Sequence, residues 1–194
     1  GQIRFMGEDV TMSSPSVARD LGIETVFQDL ALCPHLDPVR NLYLGREVRK
    51  RGPLGWFGFM DNKMMREKSS DAFADLGATV RALSVPVGDM SGGQKQSVAV
   101  ARAASWANKI IFLDEPTAAL GVVQTQNVLD LIKRVRDKGI GVVFISHSMP
   151  EVLGVADRVQ VLRRGRRVAT YQAADTSLEE LVGAMTGALD EEAV

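Results

Sequence analysis

Two adjacent acidic residues follow an apolar run in the second half of the chain. Residues 110–113 read Ile-Ile-Phe-Leu, and Asp114, Glu115 and Pro116 come directly after them. A continuous apolar run predicts a parallel strand buried on both faces, and Pro116 ends it because proline cannot donate a ladder hydrogen bond. Open α/β sheets bind ligands at the carboxyl ends of such strands. One carboxylate there can hold Mg²⁺ through its water shell while the next orients a hydrolytic water, a layout typical of ATP hydrolysis.

A serine-glycine segment precedes a predicted helix of small residues and reads Met-Ser-Gly-Gly-Gln-Lys over residues 90–95. Ser91 is a good N-cap. Gly92 and Gly93 let backbone N–H groups approach an anion with no Cβ in the way, and the helix N-terminus adds a partial positive charge. Taken alone, the segment is more typical of an ordinary capped helix.

Two further polar residues stand at the ends of predicted strands. Gln28 ends the strand region predicted at 23–27, and His147 follows a second continuous apolar run at 142–145, which is also predicted to be a buried parallel strand. Alone, a glutamine there is an unremarkable polar residue, and a histidine at a strand end is more often structural. The order of all four motifs gives them weight, since Asp114 comes about twenty residues after the serine-glycine segment.

Strands alternate with helices along most of the chain, which indicates an α/β fold with a parallel sheet. The predicted strands are 2–6, 23–27, 109–113 and 142–145, with 7–9 as a turn and with 159–162 and 167–171 as an antiparallel edge hairpin around an arginine-rich, solvated tip. The predicted helices are 15–21, 38–44, 61–76, 92–106, 123–138 and a final helix that ends at about 185. Asp37 and Asp61 are the predicted N-caps of the second and third helices, and either Thr176 or Ser177 caps the last.

The segment from about 37 to 106 is predicted to be purely helical and interrupts this alternation. We therefore expect one domain, with an α/β core at 1–36 and 107–175, an inserted helical subdomain at 37–106, and a C-terminal helix and acidic tail at 176–194. Residues 46–58 are basic, then glycine-rich and aromatic, which is typical of a solvated turn beside a small aromatic cluster. The alternative is a docking surface for a membrane subunit or anionic lipid headgroups.

Composition excludes several classes of protein. A chain of 194 residues suits one domain with a sizeable core. Its net charge of −1 provides no global field for nucleic acid. No apolar stretch approaches the roughly 18 to 20 residues needed to span a bilayer, no secretory signal opens the chain, and the lone Cys33 excludes an internal disulfide. A cytosolic location is expected, with membrane attachment through a partner left open.

The four motifs, in this order and spacing, resemble the nucleotide-binding subunit of ABC transporters over essentially the whole chain. The resemblance implies a P-loop NTPase-like (RecA-like) parallel-sheet core with an inserted helical subdomain. It also implies that Ser91, Gly92, Gly93 and Gln94 form the signature loop, which caps the γ-phosphate of ATP held by the opposite subunit. The family normally opens this motif with leucine, and here methionine stands in that position.

The same resemblance implies roles for the residues at the strand ends. Asp114 would be the Walker B carboxylate near Mg²⁺, and Glu115 would be the general base for the attacking water. Gln28 would be the Q-loop glutamine that touches Mg²⁺ or the water, and His147 would be the switch histidine that contacts the γ-phosphate. These residue types suit phosphoryl transfer, which depends on charge neutralisation and alignment more than on covalent chemistry. The implied ligands are ATP and Mg²⁺.

A finer resemblance points to the carbohydrate-importer branch of the family. Residues 41–47 and 185–187 are similar to that branch, and Gly121 stands where most ABC subunits carry an aspartate that sugar importers often lack. The implied partners are a second ATPase subunit in a head-to-tail dimer, membrane permease subunits and, indirectly, a periplasmic sugar-binding protein. The implied location is cytoplasmic, on the inner face of the cell membrane.

No Gly-x-x-x-x-Gly-Lys-Ser/Thr phosphate-binding loop occurs in the 194 residues. Because the N–H groups, lysine and hydroxyl of that loop hold the phosphates and Mg²⁺, the chain is expected to bind ATP weakly and to hydrolyse essentially none. The chain opens at Gly1 in what reads as mid-domain, and we expect an N-terminal truncation rather than a natural degenerate subunit. Loss of a central strand is also expected to expose backbone edges and apolar side chains on the Asp114 strand, and to lower stability.

Two alternative functions stay open. One is a soluble ABC ATPase acting on DNA or ribosomes, although the chain shows neither the long coiled-coil insertion nor the tandem cassettes common in such proteins. The other is a non-catalytic module that keeps the signature loop and works only in trans with a complete partner. The sequence does not identify the sugar, because that specificity lies in the binding protein and the permease.

Overall fold

The computed structural model describes residues 1–78, 80 and 82–188. Its strands are β1 (Ile3–Phe5), β2 (Glu8–Val10), β3 (Ile23–Val26), β4 (Ile110–Asp114), β5 (Gly141–Ile145), β6 (Arg158–Arg163) and β7 (Arg166–Gln172). Its α-helices are α1 (Pro15–Asp20), α2 (Pro38–Tyr43), α3 (Pro53–Trp56), α4 (Asn62–Asp75), α5 (Gly92–Trp106), α6 (Val122–Asp137), α7 (Met149–Val155) and α8 (Leu178–Thr186). The protein therefore has the α/β architecture that the sequence predicts.

The parallel sheet consists of β3, β4 and β5, with β4 in the middle. Its register pairs Val26 with Leu113 on one side and Asp114 with Ile145 on the other. Because all three strands run in the same direction, their carboxyl ends meet at one edge of the sheet. That edge carries the residues whose chemistry the sequence singles out.

One face of β4 is covered more completely than the other. Ile111 and Leu113 are fully buried in a cluster that includes apolar residues of α5 and α6. Ile110 and Phe112, which alternate with them, are only partly buried. The prediction that β4 is covered on both faces is therefore wrong for the described residues, because α5 and α6 both pack on the Ile111 face.

The unpaired edges of the parallel sheet lie on β3 and β5 rather than on β4. β4 is paired on both sides because it is the middle strand, so the expected exposure of the Asp114 strand edge is wrong for the described residues. β5 is only partly buried, in contrast to the buried strand predicted for 142–145. An open cleft of about 900 Å³, lined mainly by β5, α7 and β6, lies along the unpaired side of β5.

Between β3 and β4, the regular elements of the described chain are helices joined by loops, apart from one isolated bridge between Arg49 and Met60. Asp37 caps α2 and Asp61 caps α4, as predicted, each accepting a hydrogen bond from a backbone N–H three residues later. One continuous buried cluster joins these helices to the parallel sheet. The division into a core and a helical subdomain stays a prediction.

Two short elements, β2 and α7, are absent from the sequence prediction. The N-terminal strand turns at Met6 and Gly7, both with positive φ, and residues 8–10 pair back as β2 instead of forming a turn. The sequence prediction also lacks α7, although Met149, Val152 and Val155 recur at helical spacing and are buried. Short elements of this kind give weak local signals, since tertiary packing stabilises them.

The C-terminal region contains the predicted hairpin and helix. β6 and β7 pair antiparallel around Arg164 and Gly165, both with positive φ, and Ser177 caps α8 with a capping box. Residues 189–194, with most of the predicted acidic tail, lie outside the described residues. None of the described helices is long and apolar enough to cross a bilayer.

Candidate active site at the sheet edge

Glu115 and His147 contact each other at the carboxyl ends of β4 and β5. The Nδ1 atom of His147 lies 2.8 Å from Oε1 of Glu115. The Glu115 N–H donates to the Ile145 carbonyl at 2.9 Å, which extends the β4–β5 pairing one step beyond Asp114. The parallel register therefore brings the two predicted catalytic residues side by side.

The backbone of Glu115 has a conformation that few non-glycine residues adopt. Its φ is +48°, in the left-handed region, where a residue costs of order 1–3 kcal/mol. The side chain of Glu115 is 21% exposed, whereas that of His147 is 79% exposed. A strained, mostly buried acid beside an accessible imidazole is typical of functional sites.

The Glu115 carboxylate raises the pKa of His147 above its ordinary value of 6.5, through the hydrogen bond first and through its charge second. Burial opposes this rise, and the charge of Glu151 on α7 adds to it. The pair therefore favours the protonated imidazole, which carries two N–H donors. Nδ1 faces Glu115, so Nε2 is left to donate to an anion.

Asp114 and Gln28 occupy the same edge of the sheet. Asp114 is the last residue of β4 and is partly buried, and Gln28 is exposed, two residues beyond the end of β3. Since β3 and β5 flank β4, the two acids lie between the strand leading to Gln28 and the strand leading to His147. No hydrogen bond or ion pair joins Gln28 to either acid in the described part of the chain.

These residues fit the Mg²⁺ and γ-phosphate end of ATP, but not the whole nucleotide. Within residues 1–78, 80 and 82–188, no three acidic, histidine or cysteine side chains are grouped to hold a metal. Mg²⁺ at phosphate sites uses one or two carboxylates and keeps water and phosphate ligands, so Asp114 and the Gln28 amide match its preference. Bound there, Mg²⁺ would neutralise phosphate charge. The sequence has no phosphate-binding loop motif to hold the remaining phosphates.

The serine-glycine segment begins α5 with a capping box. The Ser91 N–H donates to Oε1 of Gln94 at 3.1 Å, and the Gln94 N–H donates to Oγ of Ser91 at 3.4 Å. Gly92 is exposed and Gly93 is buried. A Cβ on Gly93 would lie 2.8 Å from Cγ of Gln124, so close packing of α5 on α6 requires glycine there. Ser91 and Gly92 are exposed, so an anion can approach the partial positive charge at the start of α5.

The serine-glycine segment and the Glu115–His147 pair form two separate groups. The first turn of α5 packs on Leu120 and Gln124, in the region that follows the two acids. No hydrogen bond or ion pair in the described chain joins Ser91 to Glu115 or His147. Within the described chain a hydrogen bond therefore joins Glu115 to His147, whereas the serine-glycine segment packs against the start of α6 and the residues just before it.

Arg102 is a positioning residue that the sequence analysis did not select. Its Nη1 atom donates to the Ala31 carbonyl at 2.8 Å, and its Nη2 atom donates to the Leu30 carbonyl at 3.1 Å. Leu30 and Ala31 both have positive φ, +63° and +44°. Arg102 therefore ties the loop after Gln28 to the helix that begins at Ser91. The available signal was a single arginine among small residues, in Ala-Val-Ala-Arg-Ala-Ala.

Comparison with known proteins defines the class of the chain. Residues 1–118 match the sequence profile of the ABC transporter family. Over 190 residues the chain is 45% identical to the fructose import ATP-binding protein FrcA of Rhizobium meliloti, covering 97% of this chain and 73% of that protein. The chain belongs to the ABC transporter ATP-binding family.

Other relatives carry the names of further sugars. The chain is 41% identical to the xylose/arabinose import ATP-binding protein XylG of Sulfolobus acidocaldarius, covering 96% of this chain and 72% of that protein. It is 37% identical to the ribose import ATP-binding protein RbsA of Streptococcus agalactiae, covering 96% of this chain but only 37% of that protein.

Solved structures of ATP-binding cassettes share the fold. A nucleotide-free cassette from an ABC transporter superposes with a TM-score of 0.74 at 24% identity, covering 96% of this chain and 73% of that chain. A dimeric cassette in a post-hydrolysis state, bound to ADP and Pi, superposes with a TM-score of 0.71 at 23% identity, covering 89% and 73%. The predicted fold class is confirmed.

Proposed function

We propose that the chain is the ATP-binding and ATP-hydrolysing part of a subunit that powers a sugar importer. Three relatives at 45%, 41% and 37% identity are named for import of fructose, xylose or arabinose, and ribose. The observation that carries the chemical part of the proposal is the 2.8 Å contact between Glu115 and His147 beside Asp114.

We assign a different role to each residue at the carboxyl ends of the strands. His147 holds Oε1 of Glu115, so Oε2 is the atom assigned to accept a proton from the attacking water. The protonated His147 donates through Nε2 to the γ-phosphate. Asp114 and Gln28 are the residues that would provide oxygen ligands for Mg²⁺. Each residue contributes alignment or charge, which is what phosphoryl transfer needs from a protein.

The separate serine-glycine segment acts on a nucleotide held by a second subunit. Ser91, Gly92, Gly93 and Gln94 form a helix N-terminus that is exposed at Ser91 and Gly92, and no hydrogen bond or ion pair joins Ser91 to Glu115 within the described chain. We assign it to the opposite site of a head-to-tail dimer. Permease subunits are the proposed membrane partners, a periplasmic sugar-binding protein acts indirectly, and the complex lies on the inner face of the membrane.

The test mixes this chain with the fructose-import relative, in which the serine equivalent to Ser91 has been substituted. The relative, which is named as an ATP-binding protein, holds the nucleotide. This chain is expected to supply the serine-glycine segment and to restore ATP hydrolysis about tenfold or more. Ser91→Ala in this chain removes that rescue. Glu115→Gln is the matched control and leaves rescue unchanged, because Glu115 lies at the other site of the mixed dimer.

Two results would overturn parts of the proposal. Rescue that survives Ser91→Ala, or no rescue although mixed dimers form, would remove the role of the serine-glycine segment. The assignment to sugar import is tested by the genes beside this one, where a permease and a periplasmic binding protein are expected. A neighbourhood of ribosomal or DNA-repair genes would contradict it.

A further inference from the structure

The segment at residues 49–60, called here the aromatic loop, is a closed and ordered protrusion. Arg49 pairs with Met60 at its base, and the Lys50 N–H donates to the Phe59 carbonyl at 2.9 Å. Inside the loop, the Phe59 N–H donates to the Leu54 carbonyl at 3.0 Å. These backbone hydrogen bonds close the loop, so its backbone conformation determines which way its side chains point.

Glycine at position 55 makes this shape possible. A Cβ on Gly55 would collide with the Lys50 carbonyl oxygen, and Gly55 is the one buried residue among positions 49–60. Its burial lets the two arms of the loop meet with the larger side chains outside. The fold therefore turns apolar side chains outward at this place instead of burying them.

The aromatic loop carries the densest group of exposed large apolar side chains in the described structure. Trp56 is 85% exposed, Phe57 is 72% exposed and Phe59 is 56% exposed, with Leu54 and Met60 about half exposed. The rings of Trp56 and Phe57 lie side by side, with centroids 5.6 Å apart. Single exposed apolar residues are ordinary, whereas a contiguous group marks an interaction surface.

The charge of the loop is all of one sign. Arg49, Lys50 and Arg51 are consecutive and exposed, and residues 48–60 contain no acid, although the whole chain has a net charge of −1. Within the described residues, none of these three cations takes part in an ion pair. The loop thus combines free positive charge with protruding aromatic rings.

We propose that the aromatic loop binds an anionic lipid surface, with Trp56, Phe57 and Phe59 at the headgroup level and the three cations on the phosphates. Such a surface attracts clustered Lys and Arg within a Debye length, and Trp is favoured at the membrane–water boundary. Residues 48–60 contain cations and apolar groups but no acid, which matches a surface with anionic headgroups over an apolar interior. The proposal goes beyond the proposed function and does not depend on nucleotide chemistry.

The test measures sedimentation of this chain with vesicles of phosphatidylcholine alone, and with about 30% phosphatidylglycerol, at about 0.1 and 0.5 M salt. Binding is expected to the anionic vesicles and to fall at high salt. Replacing Trp56 and Phe57 by alanine, or residues 49–51 by glutamine, is expected to weaken it about tenfold or more. Trp56 emission is expected to shift to the blue on binding, and the shift is expected to disappear in Trp56→Phe.

A matched control is available on the β6–β7 hairpin. Replacing Arg164, Arg166 and Arg167 by glutamine removes three exposed cations beside the exposed Leu162, and binding is expected to stay unchanged. Circular dichroism checks that every variant is folded. Equal binding to neutral vesicles, no binding, or equal losses in the loop and hairpin variants would overturn the proposal. So would a loop that cross-links to a permease polypeptide while failing to bind vesicles.

Discussion

Arg102 and Ala31 are 71 residues apart in the sequence, yet Nη1 of Arg102 donates to the Ala31 carbonyl at 2.8 Å. The same guanidinium also holds Leu30. Ser91 caps α5, and the held loop follows Gln28, so one side chain connects the helix and the loop that adjoin two of the four motifs. Any shift of α5 along its axis is therefore transmitted to the loop that follows Gln28.

Replacing Arg102 by alanine is expected to lower the free energy of unfolding by about 2–3 kcal/mol, because a hydrogen bond from a charged donor contributes about 1.5–3 kcal/mol and the bond to Ala31, which is exposed, contributes less than the part-buried bond to Leu30. Arg102→Lys is expected to recover little, since an ammonium lacks the planar fork that reaches two carbonyls. Urea denaturation measures the loss, and hydrogen exchange at residues 28–32 locates it.

The control for Arg102 is Arg136→Ala. Arg136 makes exposed ion pairs with Asp137 and Asp157, so its removal is expected to cost at most about 1 kcal/mol. If both variants lose the same stability, and exchange at residues 28–32 is unchanged, Arg102 does not hold this loop.

Asn41 is fully buried and organises the turn before α2. Its Oδ1 accepts from the Cys33 N–H at 2.8 Å, and its Nδ2 donates to the carbonyls of Cys33, Leu36 and Asp37 at 3.0–3.1 Å. Asn41→Ala is expected to cost about 2–4 kcal/mol, because several buried polar groups lose their partner.

Asn41→Asp distinguishes this account from a simple loss of volume. A carboxylate has nearly the same shape and still accepts from Cys33, but it faces three carbonyl oxygens without a donor. It is expected to destabilise at least as much as alanine at neutral pH, measured by thermal melts. An aspartate variant as stable as the native chain would show that the donor bonds do not matter.

Gly121 precedes α6 and leaves its N-terminus without a side-chain cap. Its φ of −74° and ψ of 165° suit any N-cap residue, and the nearest obstacle to a Cβ is the flexible end of Gln124. Gly121→Asp is therefore expected to stabilise the chain by about 0.5–1 kcal/mol through capping and the helix dipole. Gly121→Ala supplies the same Cβ without an acceptor, and equal stability of the two variants in urea would contradict the capping argument.

The Glu115–His147 contact predicts a pH dependence. Because the folded state raises the pKa of His147 above 6.5, the contribution of the pair to stability is fully present below that value and is lost as pH rises through the folded pKa. NMR titration of His147 is expected to show the raised pKa. Glu115→Gln is expected to lower it, and Glu151→Gln is expected to lower it less. Equal titration in the native chain and Glu115→Gln would rule out the contact in solution.

Local signals in the sequence predicted much of the fold. Asp37, Asp61 and Ser91 were recognisable as caps, and Ser177 as one of two candidates, because each side chain accepts a hydrogen bond from an N–H group three residues later. The apolar run before Asp114 likewise predicted β4, and Pro116 predicted where it ends. Such features depend on near neighbours in the chain, so they can be read without the tertiary structure.

The features that the sequence did not predict depend on tertiary pairing. The contact between Glu115 and His147 follows from a register that pairs Asp114 with Ile145, and no local pattern encodes that register. The placement of β4 between β3 and β5, and the two hydrogen bonds from Arg102 to distant carbonyls, have the same origin. The four motifs were enough to identify the family from the sequence alone. How these motifs are arranged in space could be seen only in the structure.

The most direct test of the central claim measures ATP turnover in a chimera in which a segment with a phosphate-binding loop, taken from an ABC ATPase whose sequence contains one, is joined to the start of this chain. The chimera is expected to hydrolyse ATP, and Glu115→Gln within it is expected to reduce turnover by about 100-fold or more while nucleotide binding and dimer formation persist. Turnover unchanged by Glu115→Gln would contradict the assignment of Glu115 as the base, and with it the active site proposed at this edge of the sheet.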